Sequence, residues 1–413
     1  APLNMFSRDT WKEIFDTIRK NKLRTFLTGF TMALGIFIVV ILVGFTNGLQ
    51  NTFEKFFGDD ATNTLFVFPG RTSMPYKGYT SNRRIQFDNS DLKDIEENFA
   101  MFLDYITPRI TRSSLVRYKG ESNNYTNRAV APAHQFSEKT IIMKGRFLNE
   151  NDLNIRAKYA VIGRLVAKDL FKDEDPIGKY ITLGDSAFKV IGVFQDDGGD
   201  NEERFIYIPY TTRQLIEKGN DKIEQIILGF NPSIGYAGAM ALEKNVTKLL
   251  KEKKFIARED RSGIFIRNIA DELKQNQQFA QVLGFIALFF AIGTIVAGII
   301  GVSNIMIFVV KERTKEIGIR KALGATPRVV ISTILLEATT ITILSGFSGM
   351  LAGVAILQNL GGKLEDYFIT NPYIDLGFAI GATVILIIFG SIAGYIPAKR
   401  AARIKPIVAL RDE

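Results

Sequence analysis

Residues 311–327, KERTKEIGIRKALGATP, form a short charged segment between two long apolar runs. The apolar runs cover residues 279–310 and 328–358, and each exceeds the roughly 20 residues that a helix needs to cross a lipid core. The segment between them alternates acidic and basic side chains, so it lacks a face apolar enough to enter lipid. A charged loop that joins two spans lies at a membrane surface, where it is open to a partner in water.

Two further apolar runs, residues 25–48 and 376–397, predict the remaining spans. Basic residues cluster directly before the first span and after the last one, which predicts that both chain ends and residues 311–327 are cytoplasmic. The short loop 359–375 carries Glu365 and Asp366 and is predicted on the opposite side. The flanking basic residues are Arg8, Lys12, Arg19, Lys20, Lys22 and Arg24 at the front and Lys399, Arg400, Arg403, Lys405 and Arg411 at the back.

Residues 1–24 and 398–413 flank the spans on the predicted cytoplasmic side. Apolar residues in the first segment stand at helical spacing with charged residues between them, which predicts an amphipathic helix. Its position before a span favours a helix lying on the membrane surface over an ordinary soluble helix. The second segment is a basic tail that follows Pro397, where the last span is predicted to end. The apolar residues of the first segment are Trp11, Ile14, Phe15 and Ile18.

Residues 49–278 form a long polar region between the first and second spans. Short β-rich runs bounded by turns alternate with helical patches, which predicts an α+β domain with its own core. One outward crossing precedes this region, so we expect it outside the cytoplasm. The predicted fold class is an α-helical membrane protein with four transmembrane helices plus an extracytoplasmic α+β domain between the first and second. The predicted strands include residues 65–68, 159–162, 188–194, 205–208 and 225–230.

The second span is longer than the lipid core requires. At a rise of ~1.5 Å per residue, residues 279–310 approach about 48 Å, and residues 269–278 before them also have a helical pattern. We therefore predict a stalk that projects beyond the membrane into the α+β domain.

Small residues recur at four-residue spacing in the last three spans, a pattern that allows close helix approach in lipid. Generic glycine usage explains any one row equally well, whereas three rows together favour a tightly packed bundle or dimer. Glu337 lies about two turns into the third span, where a carboxylate is costly. Pairing with a basic residue of the loop or tail is favoured over a proton relay, because no second buried carboxylate continues a path. The rows are Gly293, Ala297 and Gly301; Ser345, Gly349 and Gly353; and Gly390 and Gly394.

The composition excludes several kinds of site. The chain has no cysteine, which excludes disulfides and cysteine-ligated zinc. The net charge of +9 is concentrated beside the spans, so it indicates topology rather than nucleic-acid binding. His134 is the only histidine and has no clustered carboxylates nearby in sequence, so it is predicted to be a structural or surface residue. No phosphate-binding loop or hydrolase motif occurs, and the sequence predicts no catalytic residue, no metal site and no cofactor on this chain.

Within residues 311–327 the spacing predicts a short cytoplasmic helix that exposes both charges and an apolar ridge. Following NIMIFVV, the motif ERTKEIGIRKALGAT resembles the signature of MacB/FtsX-type permeases of ABC transporters, as does the tail YIPAKRAARIKPIVALRDE. MKGRFLNENDL, YAVIGRLVAKDLFKDEDPIGKYITLGDSAFKVIGVF and YIPYTT resemble the MacB-like periplasmic core domain. The resemblance implies an FtsX-like transmembrane domain with an ATPase-coupling helix. The residues implied are Glu312, Arg313, Thr314, Lys315, Glu316, Ile317, Gly318, Ile319, Arg320, Lys321, Ala322, Leu323 and Gly324.

The resemblance also implies location and partners. It implies a multi-pass protein of the bacterial inner membrane, surrounded by membrane lipid, with cytoplasmic N- and C-termini and a large periplasmic domain. The protein is expected to form a homodimer, or a heterodimer with a related permease, that binds ABC ATPase subunits carrying ATP and Mg. Because only a short helix precedes the first span, we expect the ATPase on a separate chain and no enzyme activity on this one. A periplasmic adaptor, an outer-membrane duct and a lipoprotein are further candidate partners, and nucleic acid is not expected.

Two functions stay open at this point. A transporter permease would couple ATP hydrolysis to closure of periplasmic domains that expel or extract a peptide, drug or lipoprotein. An FtsX-like signal transducer would instead control a periplasmic cell-wall hydrolase and move nothing. The α+β domain is larger than a simple docking module, which favours transport.

Overall fold

The computed structural model describes residues 19, 22–57, 61–196, 199–364 and 369–403. Most of the amphipathic helix predicted in residues 1–24, and the tail after Arg403, lie outside the described residues. The chain divides into two compact units. An apolar unit combines Ala1–Thr52 with Gln278–Glu413, and an α+β unit comprises Phe53–Gln277.

The described residues contain eleven α-helices and twelve β-strands, numbered in chain order. The helices are α1 (Lys22–Phe57), α2 (Asn89–Phe99), α3 (His134–Ser137), α4 (Glu150–Asn154), α5 (Arg164–Phe171), α6 (Tyr210–Ile216), α7 (Gly235–Lys253), α8 (Ile269–Glu312), α9 (Thr314–Ala322), α10 (Pro327–Leu360) and α11 (Leu376–Ala402). The strands are β1 (Thr64–Pro69), β2 (Phe87–Asp88), β3 (Leu103–Tyr118), β4 (Glu121–Val130), β5 (Ile141–Gly145), β6 (Tyr159–Gly163), β7 (Tyr180–Leu183), β8 (Ser186–Gln195), β9 (Ile206–Pro209), β10 (Lys222–Ile223), β11 (Gln225–Phe230) and β12 (Ile264–Asn268).

Four helices are long and apolar enough to cross a membrane, which confirms the four predicted apolar helices. The stretches are Thr25–Thr52, Ile269–Glu312, Pro327–Lys363 and Leu376–Ala402. Helix α8 starts at Ile269 rather than at residue 279 and runs unbroken for 44 residues, about 66 Å at ~1.5 Å per residue. The earlier start has a local cause, because the side chain of Asn268 accepts hydrogen bonds from the backbone N–H groups of Ala270 and Asp271. The stalk role of α8 stays a prediction.

The fourth apolar helix corrects a prediction. Helix α11 does not end at Pro397 but continues through it to Ala402. A proline inside a helix has no N–H for the carbonyl four residues earlier, which is that of Ala393. The hydroxyl of Ser303 on α8 donates to this carbonyl oxygen at 3.1 Å, so the hydrogen bond that Pro397 removes is replaced from another helix.

Two of the three small-residue rows pack helices together within the apolar unit. A Cβ added to Gly349 of α10 would lie 2.1 Å from the carbonyl oxygen of Ala33 on α1, so only glycine allows this contact. A Cβ on Gly390 of α11 would lie 2.7 Å from the side chain of Thr342 on α10. On α8, by contrast, Gly293 is exposed and a Cβ there would meet nothing within 4 Å. Gly293 and Ala297 of the row on α8 are thus exposed, whereas Gly301 is half-buried.

The α+β unit contains a ten-stranded sheet in the order β12-β1-β11-β3-β4-β9-β6-β8-β5, and β7 pairs with both β3 and β8. The pairings β3-β4-β9-β6-β8-β7 return to β3 and close a ring of six strands. Closure protects strand edges that would otherwise expose unpaired backbone groups. These strands share a buried apolar cluster to which Ile110, Ile162, Phe188 and Ile206 belong.

A separate core lies under the other part of the sheet. Helices α2 and α7 contribute Ile95 and Val246 to a buried cluster with residues of β1, β11 and β12, among them Leu65 and Leu228. The five strands predicted from the sequence correspond to β1, β6, β8, β9 and β11 and are confirmed, with ends that differ by at most two residues. The long hairpin of β3 and β4, paired in register from Arg109↔Val130 to Tyr118↔Glu121, was not predicted from the sequence.

Candidate functional site

The residues predicted to couple to an ATPase lie at the end of α8, in α9 and in the turn after it. Helix α9 covers Thr314–Ala322, so the predicted helix is present but is shorter than residues 311–327. Gly324 has a φ of +99°, a left-handed conformation that favours glycine after a helix. Pro327 occupies the start of α10, where its missing N–H is tolerated. Together these residues end one helix and begin the next.

One side of α9 is packed against the apolar unit. Ile317 is only 7% exposed and belongs to the apolar core formed by residues of α1, α8, α10 and α11. The ammonium group of Lys321 donates to the carbonyl oxygen of Ala402, at the C-terminal end of α11, over 2.8 Å. A cation is favourable there because the last carbonyl groups of a helix carry partial negative charge. These contacts attach α9 to the apolar helices, and no local pattern predicts the contact between Lys321 and Ala402.

The other side of α9 is exposed. Leu323 is 83% exposed and Ile319 is 45% exposed, and Lys315 and Ala322 are exposed beside them. The apolar ridge predicted from the sequence is thus divided, since Ile317 is buried while Ile319, Ala322 and Leu323 stay accessible. An exposed apolar patch with charges around it is typical of a surface that binds another protein.

A series of ion pairs connects α9 with α10. Arg313 donates to both carboxylate oxygens of Glu316, at 2.8 and 2.9 Å, and Glu316 also lies 2.7 Å from Arg320. A third guanidinium nitrogen of Arg313 lies 3.5 Å from Glu337, whose residue exposure is 1%. A buried carboxylate is costly unless a cation or hydrogen-bond donors compensate it. The hypothesis that Glu337 pairs with a basic residue of the loop or tail is confirmed, and the residue is Arg313.

A second buried carboxylate, Glu138, lies directly after α3 in the α+β unit. Arg109 of β3 and Arg128 of β4 each place a guanidinium nitrogen 2.6 Å from one of its oxygens. Burial alone would raise the pKa of Glu138, but the arginines, Arg128 most strongly, outweigh burial and lower it to about 2. His134 is fully buried 3.7 Å from this carboxylate, and burial lowers its pKa to about 3. His134 is therefore a neutral structural residue, one of the two roles predicted for it.

Glu202 lies at the edge of this cluster, 3.5 Å from Arg128. Burial raises the pKa of Glu202 to about 7, and the neighbouring carboxylates of Glu138 and Asp196 add to the rise while Arg128 opposes it. The described residues contain no group of three or more His, Cys, Asp or Glu side chains placed to hold a metal ion. Glu138 joins Arg109 on β3 to Arg128 on β4 and is itself buried, so the arrangement is that of a structural core.

The sequence matches two family models. The model described as MacB-like periplasmic core domain matches residues 25–241, and the model described as FtsX-like permease C-terminal matches residues 276–406. The chain belongs to the MacB-like family of ABC transporter permeases, with a periplasmic core domain followed by an FtsX-like permease domain. The resemblance of the charged loop and of the α+β segments to this family is thereby confirmed.

Curated relatives carry the name macrolide export ATP-binding/permease protein MacB. The one from Mannheimia succiniciproducens is 29% identical over 418 residues, which cover 99% of this chain and 62% of the relative. The one from Bradyrhizobium diazoefficiens is 30% identical over 412 residues, which cover 98% of this chain and 60% of the relative. The chain thus spans about three fifths of the length of these relatives.

Among solved structures, the periplasmic region of MacB from Actinobacillus actinomycetemcomitans aligns with this chain at 23% identity and a TM-score of 0.44. The alignment covers 54% of this chain and 95% of that one.

Proposed function

We propose that the chain is the permease subunit of a MacB/FtsX-type ABC transporter, in which ATP hydrolysis drives periplasmic domains to expel or extract a substrate. Family membership supports the class, and the relatives named for macrolide export support transport; a peptide, a drug or a lipoprotein is the proposed substrate. These 413 residues contain no phosphate-binding loop, so we assign ATP and Mg to an ATPase outside them. A periplasmic adaptor and an outer-membrane duct are proposed further partners.

The proposed contact with the ATPase is the exposed side of α9. The observation that carries this proposal is the division of the helix, with Leu323 and Ile319 exposed while Ile317 is buried. A push on the exposed side would act on α10 through Arg313 and Glu337, and on α11 through Lys321. Because its exposed side and its buried side belong to one helix, a displacement of α9 by the ATPase would also move its contacts with α10 and α11.

The proposed location is the bacterial inner membrane, with cytoplasmic termini and a periplasmic α+β unit. Four helices able to span a membrane support this placement, as does the excess of basic residues beside the loop 311–327 and the chain ends. Chemical labelling of Lys315 and Lys179 from opposite sides of sealed vesicles would test it. Labelling of both lysines from one side would contradict the placement.

The proposed assembly is a homodimer or a heterodimer with a related permease, joined along α8. In the most apolar stretch of α8, only 17% of the residues are buried within the chain, whereas 50% are buried in the corresponding stretch of α10. Phe285 and Phe289 are 72% and 73% exposed, and Gly293 and Ala297 next to them are exposed as well. A surface with small residues available for close approach suits contact with another helix in lipid.

The coupling role is tested by Leu323→Asp in the assembled transporter. Leu323 is 83% exposed, so the substitution changes the proposed docking surface without disturbing packing. We expect the ATPase activity that the permease stimulates in its partner ATPase to fall by more than about tenfold, because the substitution removes a central residue of the interface. Glu316→Ala with Arg320→Ala should abolish stimulation too, through loss of the ion pairs that hold α9.

The matched control is Arg328→Ala, an exposed residue just beyond the coupling segment. It should leave both stimulation and circular dichroism unchanged. Normal stimulation in the Leu323→Asp variant would contradict the coupling role of α9.

The FtsX-like match of residues 276–406 favours one alternative, a signal transducer that controls a periplasmic cell-wall hydrolase. Proteins that copurify with the chain in detergent would discriminate between the two functions. A hydrolase would support transduction, whereas an adaptor, an outer-membrane duct or a lipoprotein would support transport.

A further inference from the structure

A groove of about 940 Å³ lies between the first part of α1 and the middle of α10, within the apolar unit. Its floor is the contact of Gly29 with Ser345, where a Cβ on the glycine would lie 2.7 Å from the serine hydroxyl. Phe26 and Phe30 form one wall, with stacked rings whose centroids are 5.9 Å apart, and Leu344 lies on the opposite wall. The groove is therefore apolar along its length, and its volume falls within the ~300–1,000 Å³ of typical ligand pockets.

One end of the groove is basic. Arg19 and Lys22 line it, and both are exposed. The sequence adds Lys20 and Arg24 nearby and has no acidic residue from residue 17 to residue 53. The two basic residues that line this end of the groove thus favour an anion there.

The combination selects the kind of ligand. A basic site at the end of a membrane helix attracts anionic lipid headgroups, and an apolar groove between two such helices accepts a hydrocarbon chain. A second protein helix fits this groove less well, because close helix contacts in lipid use small residues. Here the small residues Gly29 and Ser345 are already occupied by the contact between α1 and α10, and bulky Phe26 and Phe30 stand beside them.

We propose that the groove binds one acyl chain of an anionic phospholipid, and that Arg19 and Lys22 hold the phosphate group of this lipid. The bound chain would contact α1 and α10 together and so stabilise their packing. The proposal rests on the membrane placement proposed above and is independent of the coupling role of α9.

The test uses the full chain in phosphatidylcholine bilayers that contain a trace of phosphatidylglycerol with a photoreactive acyl chain. We expect mass spectrometry to find the cross-links concentrated at Phe26, Phe30 and Leu344. Ser348→Trp fills the groove from an exposed lining position and should remove these cross-links. Leu351→Trp, at a position 61% exposed on the same helix and outside the lining, should leave them unchanged.

The headgroup contact is tested by Arg19→Gln combined with Lys22→Gln. Loss of two interfacial charges should reduce the phosphatidylglycerol cross-links by roughly thirty-fold. Lys399→Gln with Arg400→Gln, which removes two exposed basic residues outside the groove, should not reduce them.

Three results would overturn the proposal. A phosphatidylcholine probe that cross-links to the groove as strongly as the phosphatidylglycerol probe would show that the headgroup charge does not matter. Disulfide-linked dimers of a Ser348→Cys variant that exclude the lipid probe would show that a second chain occupies the groove, and cross-links on other helix surfaces but not in the groove would show that lipid does not bind there. Absence of lipid cross-links from all four apolar helices would instead refute the membrane placement itself.

Discussion

Two buried glutamates, Glu138 in the α+β unit and Glu337 in the apolar unit, are compensated in different ways. The arginines that hold Glu138, each at 2.6 Å, stand on the paired strands β3 and β4, so one hairpin fixes both cations. Glu337 lies 3.5 Å from Arg313, which belongs to the junction of α8 and α9 and also binds Glu316. The difference separates a carboxylate that stabilises the α+β unit from one that connects the start of α9 to the long apolar helix α10.

The largest effect is expected from Glu138→Ala. The substitution removes the carboxylate that two buried guanidinium groups share, and breaking a buried ion pair costs about 3–5 kcal/mol. Thermal unfolding of the full chain, followed by circular dichroism, should show a large fall in Tm. The control Glu121→Ala removes an exposed ion pair with Lys172 and should leave Tm unchanged. If the two variants have the same Tm, then Glu138 does not stabilise the α+β unit and does not differ from Glu337 in this respect.

The linking role of Glu337 is tested by a charge exchange. Arg313→Glu and Glu337→Arg alone should each reduce stimulated ATPase activity by about tenfold, because each leaves like charges facing across the contact. The double variant should recover much of this loss, since it restores an opposite pair, and a double-mutant cycle measures the coupling. If the two single losses simply add in the double variant, then the contact between α9 and α10 does not transmit the signal.

The smallest effect concerns the edge of the Glu138 cluster. The pKa of Glu202 is raised from 4.5 to about 7, so between these values the folded chain keeps a proton that the unfolded chain has lost. This contribution to stability is complete at low pH and is lost as the pH rises toward 7. Against Glu202→Gln, the wild-type free energy of unfolding should therefore fall by about 1 kcal/mol from pH 5 to pH 7.5, after solvent screening.

Denaturation in urea at several pH values measures this difference. Protonation of His134 and Glu138 also changes stability with pH, but these contributions are common to both chains and cancel in the comparison. A difference that is constant over this pH window would show that Glu202 does not keep its proton in the folded protein.

Local sequence patterns predicted the apolar unit well. Each span is a contiguous run of apolar residues, and Gly324 and Pro327 mark the break between two helices by their own backbone geometry. A cation beside Glu337 was also predicted, because this carboxylate lies inside an apolar run. The end of the fourth helix was predicted wrongly, because the hydroxyl of Ser303 that replaces the bond lost at Pro397 lies on a distant segment.

The hairpin of β3 and β4 was harder to predict. The first four residues of β4 are polar and exposed, and they include Asn123 and Asn124, although strands disfavour asparagine. These residues become a strand because β3 pairs with them, and the ring of six strands is closed by contacts of β7 with both β3 and β8. The cluster of Glu138, Arg109 and Arg128 depends on the same pairing.

The sequence by itself determined the number of long apolar helices, the charged loop and the family, because hydropathy and motifs are properties of neighbouring residues. Only the tertiary structure decided that Ile317 is buried while Leu323 is exposed, that Arg313 lies beside Glu337, and that Gly293 and Ala297 on α8 are exposed. Burial and ion pairing depend on residues far apart in the chain. No local pattern can therefore choose between the two faces of α9 or between several nearby arginines.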